Sequence, residues 1–159
     1  MTVTVLAFMQ NQWFRDPERV EKLLASGIIK NRRDFIRRAL FAGCQSGRTL
    51  RAVFGKELCQ QMIWEEASPR IGGYASSKYE PDPAHIMKAI VEVNPVVVIA
   101  FGVVARRGLE GIRQDVIYAP HPAARHATAR AELADARDRL LLRMQRRGTP
   151  RQKHAGVIV

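Results

Sequence analysis

The sequence predicts an α/β protein, a three-layer α/β/α domain with a four-stranded, mostly parallel sheet. Short apolar runs such as residues 96–100 lack polar alternation, which is typical of strands buried on both faces. Segments with helical spacing stand between these runs, as expected for alternating strands and helices. Gly102 follows one run and opens a helical segment, so that strand, turn and helix form half of a βαβ unit.

Four segments are predicted to be strands because each is a short apolar run. The central one lies between Pro95 and Gly102, which mark its two ends. The strands are predicted at residues 3–9, 59–66, 96–100 and 116–119. Since ligands of such sheets bind outside the carboxyl ends of the strands, we expect the site near Gly102.

Helices are predicted from capping residues and apolar stripes. Asp16, Asn31 and Asp82 each stand at an N-cap position, and Pro follows the first and last of them. Three helices are predicted before the second strand, and a long helix covers residues 128–146. The predicted order is β-α-α-α-β-α-β-α-β-α.

Length and composition indicate one domain over residues 1–147 and a basic tail over 148–159. No apolar run approaches the roughly 18 residues that span a bilayer, and the N-terminus lacks the features of a signal peptide. Cys44 and Cys59 are too far apart for a CxxC motif and are expected to be reduced. We expect a cytoplasmic monomer with no membrane contact, no metal and no cofactor.

The net charge is +11 and the isoelectric point is about 10.6. Clustered arginines at a pI above about 9 are the electrostatic signature of nucleic-acid binding. The clusters comprise Lys30, Arg32, Arg33, Arg37 and Arg38, and then Arg143, Arg146, Arg147, Arg151 and Lys153. DNA is the predicted partner; a solvated basic surface without a partner is the alternative.

Polar residues follow two of the predicted strands. Gln10 and Asn11 follow the first strand, and His121, between two prolines, follows the last. Because the carboxyl ends of parallel strands meet at one edge, these residues are expected there together.

The chain resembles the uracil-DNA glycosylase superfamily at Met9-Gln10-Asn11-Gln12-Trp13 and His121-Pro122-Ala123-Ala124-Arg125. The superfamily motifs are Gly-x-Asn-Pro-Gly or Gly-Gln-Asp-Pro-Tyr after a strand, and later His-Pro-Ser-Pro-Leu. The resemblance implies that Asn11 positions the attacking water and that His121 stabilises the leaving group. It also implies that Gln10 and Trp13 line the base pocket and that Arg125 takes the intercalating position.

The chemistry of base excision is compatible with these residue types. The reaction needs a flipped nucleotide, a positioned water and a stabilised anionic base. A neutral His121 ring can donate to the developing oxyanion, a role worth about 3 kcal/mol. Trp13 and Phe14 can stack on the flipped base, at roughly 1–3 kcal/mol per base.

Two glutamates, Glu65 and Glu66, end the second predicted strand, where the superfamily's Asn reads uracil. An ionised carboxylate only accepts hydrogen bonds, whereas a protonated one also donates. Which of the two faces the pocket stays open, because a shift of one residue exchanges the faces of a strand. The alternative is that both pair with arginines such as Arg70.

Further DNA contacts are predicted in two loops. Ser46 and Arg48 stand at the start of a helix, where a phosphate can bind, although a plain turn is the alternative. Ser68 and Arg70 follow the second strand and either touch the DNA backbone or form an ordinary loop. His85, in the first turn of a helix, is predicted to be a surface residue.

The predicted function is a monofunctional DNA glycosylase that excises a damaged, deaminated or modified base. The alternative is a non-catalytic nucleic-acid-binding module, because Met9, Gln12 and Ala123 replace the Gly, Pro and Ser of the motifs. An enzyme acting on free nucleosides or nucleotides is ranked last, since it leaves the arginine clusters unused.

Overall fold

The computed structural model describes residues 3–10, 12–13, 17–72 and 80–148; for residues 12, 13, 17, 71, 72 and 148 only the backbone is described. The strands are β1 (Val5–Met9), β2 (Gln12–Trp13), β3 (Ile63–Glu66), β4 (Ile71–Gly72), β5 (Val97–Phe101) and β6 (Ile117–Ala119). The helices are α1 (Pro17–Ala25), α2 (Arg32–Leu40), α3 (Gln45–Phe54), α4 (Lys56–Gln61), α5 (Pro83–Val93), α6 (Val103–Leu109) and α7 (Ala129–Gly148). Among the described helices, none combines the length and apolar character needed to cross a membrane.

The main sheet has four strands in the order β3-β1-β5-β6, and every neighbouring pair is parallel. All residues of the two inner strands, β1 and β5, are buried. Their unbroken apolar runs match this position, since an inner strand between helix layers has no solvated face. The predicted α/β class is confirmed, and the sheet is parallel throughout.

Alternate residues of β1 face two different helix layers. Val5, Ala7 and Met9 pack in a core with residues of α1, α2, α3, α4 and α7. Leu6 and Phe8 pack in a second core with residues of α5 and α6. Because side chains of a strand alternate between faces, one strand is enough to join both cores into the predicted three layers.

The structure corrects the predicted strand 59–66, whose first residues belong to a helix. Gly55, with φ of 83°, ends α3 and precedes α4. Because α4 continues to Gln61, β3 begins only at Ile63. Leu58, Cys59 and Met62 are all buried. Their spacing suits one helix face as well as an apolar run, which is why periodicity alone misplaced the boundary. Four helices, not three, therefore precede β3.

Two short elements were also not predicted. β2 and β4 have two residues each and pair in parallel, Gln12 with Ile71 and Trp13 with Gly72. Both lie in stretches that the sequence predicts to be turn or loop, because a strand of two residues leaves no periodic signal.

Two of the three predicted helix caps lie within the described residues, and both are confirmed. Asn31 Oδ1 accepts from the Asp34 N–H at 2.9 Å at the start of α2. Asp82 Oδ1 accepts from the His85 N–H at 3.1 Å at the start of α5, with Pro83 at the first position. Asp16 lies outside the described residues. Caps are predictable because they join groups within three residues of each other.

Gly47 in α3 lies against the backbone at the end of α2. A Cβ at this position would lie 1.8 Å from the carbonyl oxygen of Leu40. Gly→Ala inside a helix ordinarily stabilises by up to about 1 kcal/mol. We expect Gly47→Ala to lower the free energy of unfolding by about 2 kcal/mol or more instead, because one of the two helices has to move. Urea denaturation measures this effect.

Gly111→Ala is the control for that substitution. A Cβ on Gly111 meets nothing within 4 Å. The control is expected to change the free energy of unfolding by less than about 0.5 kcal/mol. Equal stabilities of the two variants would contradict the close packing of α2 and α3 at Gly47.

Candidate functional site

The candidate site is the carboxyl edge of the parallel sheet. Register places Met9 beside Glu66 and Phe101 beside Ala119. Gln10, Gly102 and Pro120 follow these strand ends directly, so Gln10 and the segment that leads to His121 both leave the sheet at this edge.

Gln10 is held in place by the start of α6. Its Oε1 atom accepts from the Val104 N–H at 3.1 Å. Gly102 has φ of 92°, and a Cβ there would lie 2.7 Å from the Gln10 side chain. Gly102 is therefore required both for its turn and for the approach of Gln10. With its oxygen occupied, Gln10 retains the NH2 group as a donor.

His121 is held in a tight turn just after β6. Its Nδ1 atom accepts from the Ala123 N–H at 3.0 Å, and its carbonyl accepts from the Ala124 N–H at 2.9 Å. Because Nδ1 accepts, the proton of the neutral ring is on Nε2. Burial lowers the pKa of His121 below its usual value of 6.5. At pH 7 the ring is therefore a neutral donor through Nε2.

Glu65 is fixed in an ionic network on the α5 side of the sheet. Its carboxylate accepts from Arg33 Nε at 2.9 Å and lies 3.2 Å from His85 Nε2. The Glu66 N–H donates to it at 2.9 Å. Burial alone would raise the pKa of Glu65, but these hydrogen bonds and the Arg33 charge outweigh it, so the pKa is lowered. Glu65 is an ionised, paired carboxylate.

Glu66 is the last residue of β3 and its carboxyl group is buried. The residue is 4% exposed, and its Oε2 atom has no hydrogen-bond partner among the described residues. Burial and the neighbouring Glu65 charge raise its pKa to about 8, although Arg32 opposes the shift. Glu66 is therefore protonated at neutral pH. Of the two glutamates, only Glu66 has a buried carboxyl oxygen without a hydrogen-bond partner in the part of the chain that the structure describes.

Sequence reasoning missed the part played by His85. Its side chain is 19% exposed and its Nε2 atom lies 3.2 Å from Glu65 Oε1, so the prediction of a plain surface residue is wrong. The placement follows from α5 packing against the sheet beside β3. The one local signal was the cap at Asp82, which fixes the direction of the first turn.

The residues predicted to contact DNA lie in three different places. Ser68 is 3% exposed, and its Oγ atom accepts from the Arg70 N–H at 3.3 Å, which makes it a loop-shaping residue. Arg70 and Arg125 are exposed on loops that follow β3 and His121.

The other two predicted DNA contacts, Ser46 and Arg48, are in the first turn of α3. α2 begins beside the end of β3, where Arg33 meets Glu65, and leads away to the turn before α3. Along the chain, the whole of α2 and the turn after it stand between the Arg33–Glu65 contact and Ser46. Ser46 and Arg48 therefore belong to the helix layer and do not follow the end of a strand.

Three further site residues were predicted in the segment after β1. Asn11 and Phe14 lie outside the described residues. Trp13 is described through its backbone, which belongs to β2 and pairs with Gly72. Their predicted roles at the site stay predictions.

Among the described residues, no group of three or more His, Cys, Asp or Glu side chains is placed to hold a metal ion. Comparisons of the chain with protein-family models, curated proteins and solved structures found no match. The chemistry of the residues at the carboxyl edge is therefore the basis for a function.

Proposed function

We propose that this protein is a monofunctional DNA glycosylase, which hydrolyses the N-glycosidic bond of a damaged, deaminated or modified base flipped out of DNA. The observation that carries the proposal is His121, a neutral ring with its proton on Nε2 at the carboxyl edge of a parallel sheet. The net charge of +11 supports a polyanionic substrate.

In the proposed reaction, the bond between the sugar C1′ and the base nitrogen breaks, and its electron pair leaves with the base. Water adds its hydroxyl group to C1′, and its remaining proton ends on the base. His121 Nε2–H donates to the oxygen on which negative charge develops, which lowers the barrier because the donor is already in place. Asn11 is the proposed residue that orients the water.

The base pocket is proposed to use Gln10 and Glu66. Gln10 offers its NH2 group, since Oε1 already accepts from Val104. Protonated Glu66 offers one donor and one acceptor, which suits a base edge that carries both, such as that of uracil. Glu65 takes no part in base recognition, because its oxygens are engaged by Arg33 and His85.

The experiment that tests this function is a panel of labelled duplexes. Each contains one uracil, hydroxymethyluracil, hypoxanthine, xanthine or alkylated base, and alkali cleavage detects the abasic product. We expect an abasic product from at least one modified duplex and none from the matched unmodified duplex. No abasic product from any of them would contradict the proposal.

The second candidate is a nucleic-acid-binding module that has the fold without the chemistry. Ala123 favours this candidate, because the superfamily motif has Ser at that position. The burial of Ser68 also favours it, because a buried hydroxyl group is not available to DNA. Such a module binds DNA with a steep salt dependence and forms no abasic product. Turnover that Asn11→Ala abolishes while binding persists would exclude it.

A further inference from the structure

A second concave site lies in the helix layer formed by α2, α3 and α4, and we name it the basic pocket. Its volume is about 280 Å³, and it is lined by Arg37, Arg38, Phe41, Arg51, Lys56 and Cys59. None of these lining residues is one that the sheet places at its carboxyl edge, such as Gln10, Glu66 or His121. The basic pocket therefore draws on a different set of residues from the carboxyl edge.

The basic pocket has an excess of positive charge. Four of its lining residues are cations, and none is a carboxylate. Asp34 pairs with two of these cations, since its Oδ1 atom lies 3.1 Å from both Arg37 and Arg38. The Lys30 N–H and the two arginines lower the pKa of Asp34 to about 2, so it is ionised throughout the neutral range. Asp34 therefore offsets only part of the charge of the four lining cations.

The wall of the basic pocket is preorganised. The Arg51 guanidinium lies 5.0 Å from the centre of the Phe41 ring and donates to the Phe41 carbonyl at 3.1 Å. Phe41 in turn packs edge-on against buried Trp64, with ring centres 5.5 Å apart. An arginine held by stacking loses little side-chain entropy when it binds a ligand.

The thiol of Cys59 gives the pocket no reactive group. Burial raises the pKa of Cys59 to about 11, despite the nearby charge of Arg51. A protonated thiol is a poor nucleophile and a poor metal ligand. The chemistry of the pocket is therefore that of anion binding.

We infer that the basic pocket binds a phosphate group, separately from the site proposed for base excision. Guanidinium groups pair with phosphate oxygens through parallel hydrogen bonds, and lysine adds a mobile point charge. Pockets that bury drug-sized ligands hold about 300–1,000 Å³. A cavity of about 280 Å³ suits a phosphate and its immediate ester neighbours. The phosphate is that of a nucleic-acid backbone or of a small phosphate ester.

The test compares two double variants of the full chain that remove the same charge. R38Q/K56Q removes two cations from the basic pocket. K22Q/R130Q removes one exposed lysine and one exposed arginine elsewhere, on α1 and α7. The probes are inorganic phosphate, a mononucleotide and a single-stranded oligonucleotide, measured by titration calorimetry at fixed low salt, with acetate as the carboxylate control.

We expect R38Q/K56Q to weaken at least one phosphate-bearing probe tenfold or more, and K22Q/R130Q to weaken it less than twofold. A loss confined to the oligonucleotide identifies a backbone site, and a loss with the small probes identifies a small ester. Circular dichroism checks folding, and Lys56→Gln alone replaces the double variant if that does not fold. Equal losses in both variants, no binding of any probe, or acetate binding as tight as phosphate would overturn the inference. The result does not depend on whether base excision occurs.

Discussion

Replacement of His121 by Ala is expected to lower the rate of base excision about 10²- to 10³-fold and to leave DNA affinity unchanged. In the proposed mechanism the ring donates only to charge that develops in the transition state, so its removal is expected to affect the chemical step rather than binding. Single-turnover excision on the most reactive duplex of the panel, with binding measured separately, gives both quantities.

The same residue predicts the pH dependence of the reaction. The pKa of His121 is lowered by burial, so the neutral form predominates above about pH 6.5. We therefore expect that titration of His121 does not change the excision rate between pH 7 and pH 8. A mechanism that used the protonated ring would lose activity as the pH rises through the pKa.

The matched control is His126→Ala. His126 is exposed on the loop before α7, and its Nε2 atom lies 2.6 Å from Oε2 of Glu132 in the first turn of that helix. This variant is expected to excise at the rate of the original protein, because no role at the site depends on it. Equal activity of both alanine variants would remove His121 from the mechanism, whatever the duplex panel shows.

Glu66→Gln is expected to stabilise the protein at pH 8 by about 2 kcal/mol or more and to change its stability little at pH 5. The pKa of Glu66 is raised in the folded state to about 8, from an ordinary value of 4.5. Above the unfolded pKa, the folded state keeps a proton that the unfolded chain releases. The contribution of Glu66 to stability is therefore fully present below about pH 4.5 and is lost as the pH rises toward about 8. Glutamine removes this loss because it cannot ionise.

Glu65→Gln is the control of opposite sign. The pKa of Glu65 is lowered, so its contribution is present above the unfolded pKa and is lost as the pH falls through the folded pKa. Removal of its charge weakens the contacts with Arg33 and His85, at about 1.5–3 kcal/mol near neutral pH. Urea denaturation at pH 5 and pH 8 measures both variants. If the two substitutions shift stability in the same direction at pH 8, the assignment of one neutral and one ionised glutamate is wrong.

The sequence alone determined the fold class and the features that depend on neighbouring residues. The inner strands β1 and β5 were predictable because a strand buried on both faces needs an unbroken apolar run of about five residues. The caps at Asn31 and Asp82 were predictable because the capping atoms lie within three residues of their partners. The position of His121 directly after a strand followed from the same local pattern.

The tertiary structure alone decided the features that join distant residues. Glu65 and Glu66 are adjacent in the chain, yet one is paired and the other is left with a buried oxygen that lacks a partner among the described residues. That difference depends on Arg33 and His85, which lie 32 and 20 positions away from Glu65. The basic pocket likewise requires α2, α3 and α4 to pack together. A local pattern carries the preference of a segment for helix or strand, but the burial and pKa of a side chain depend on what the folded chain brings against it.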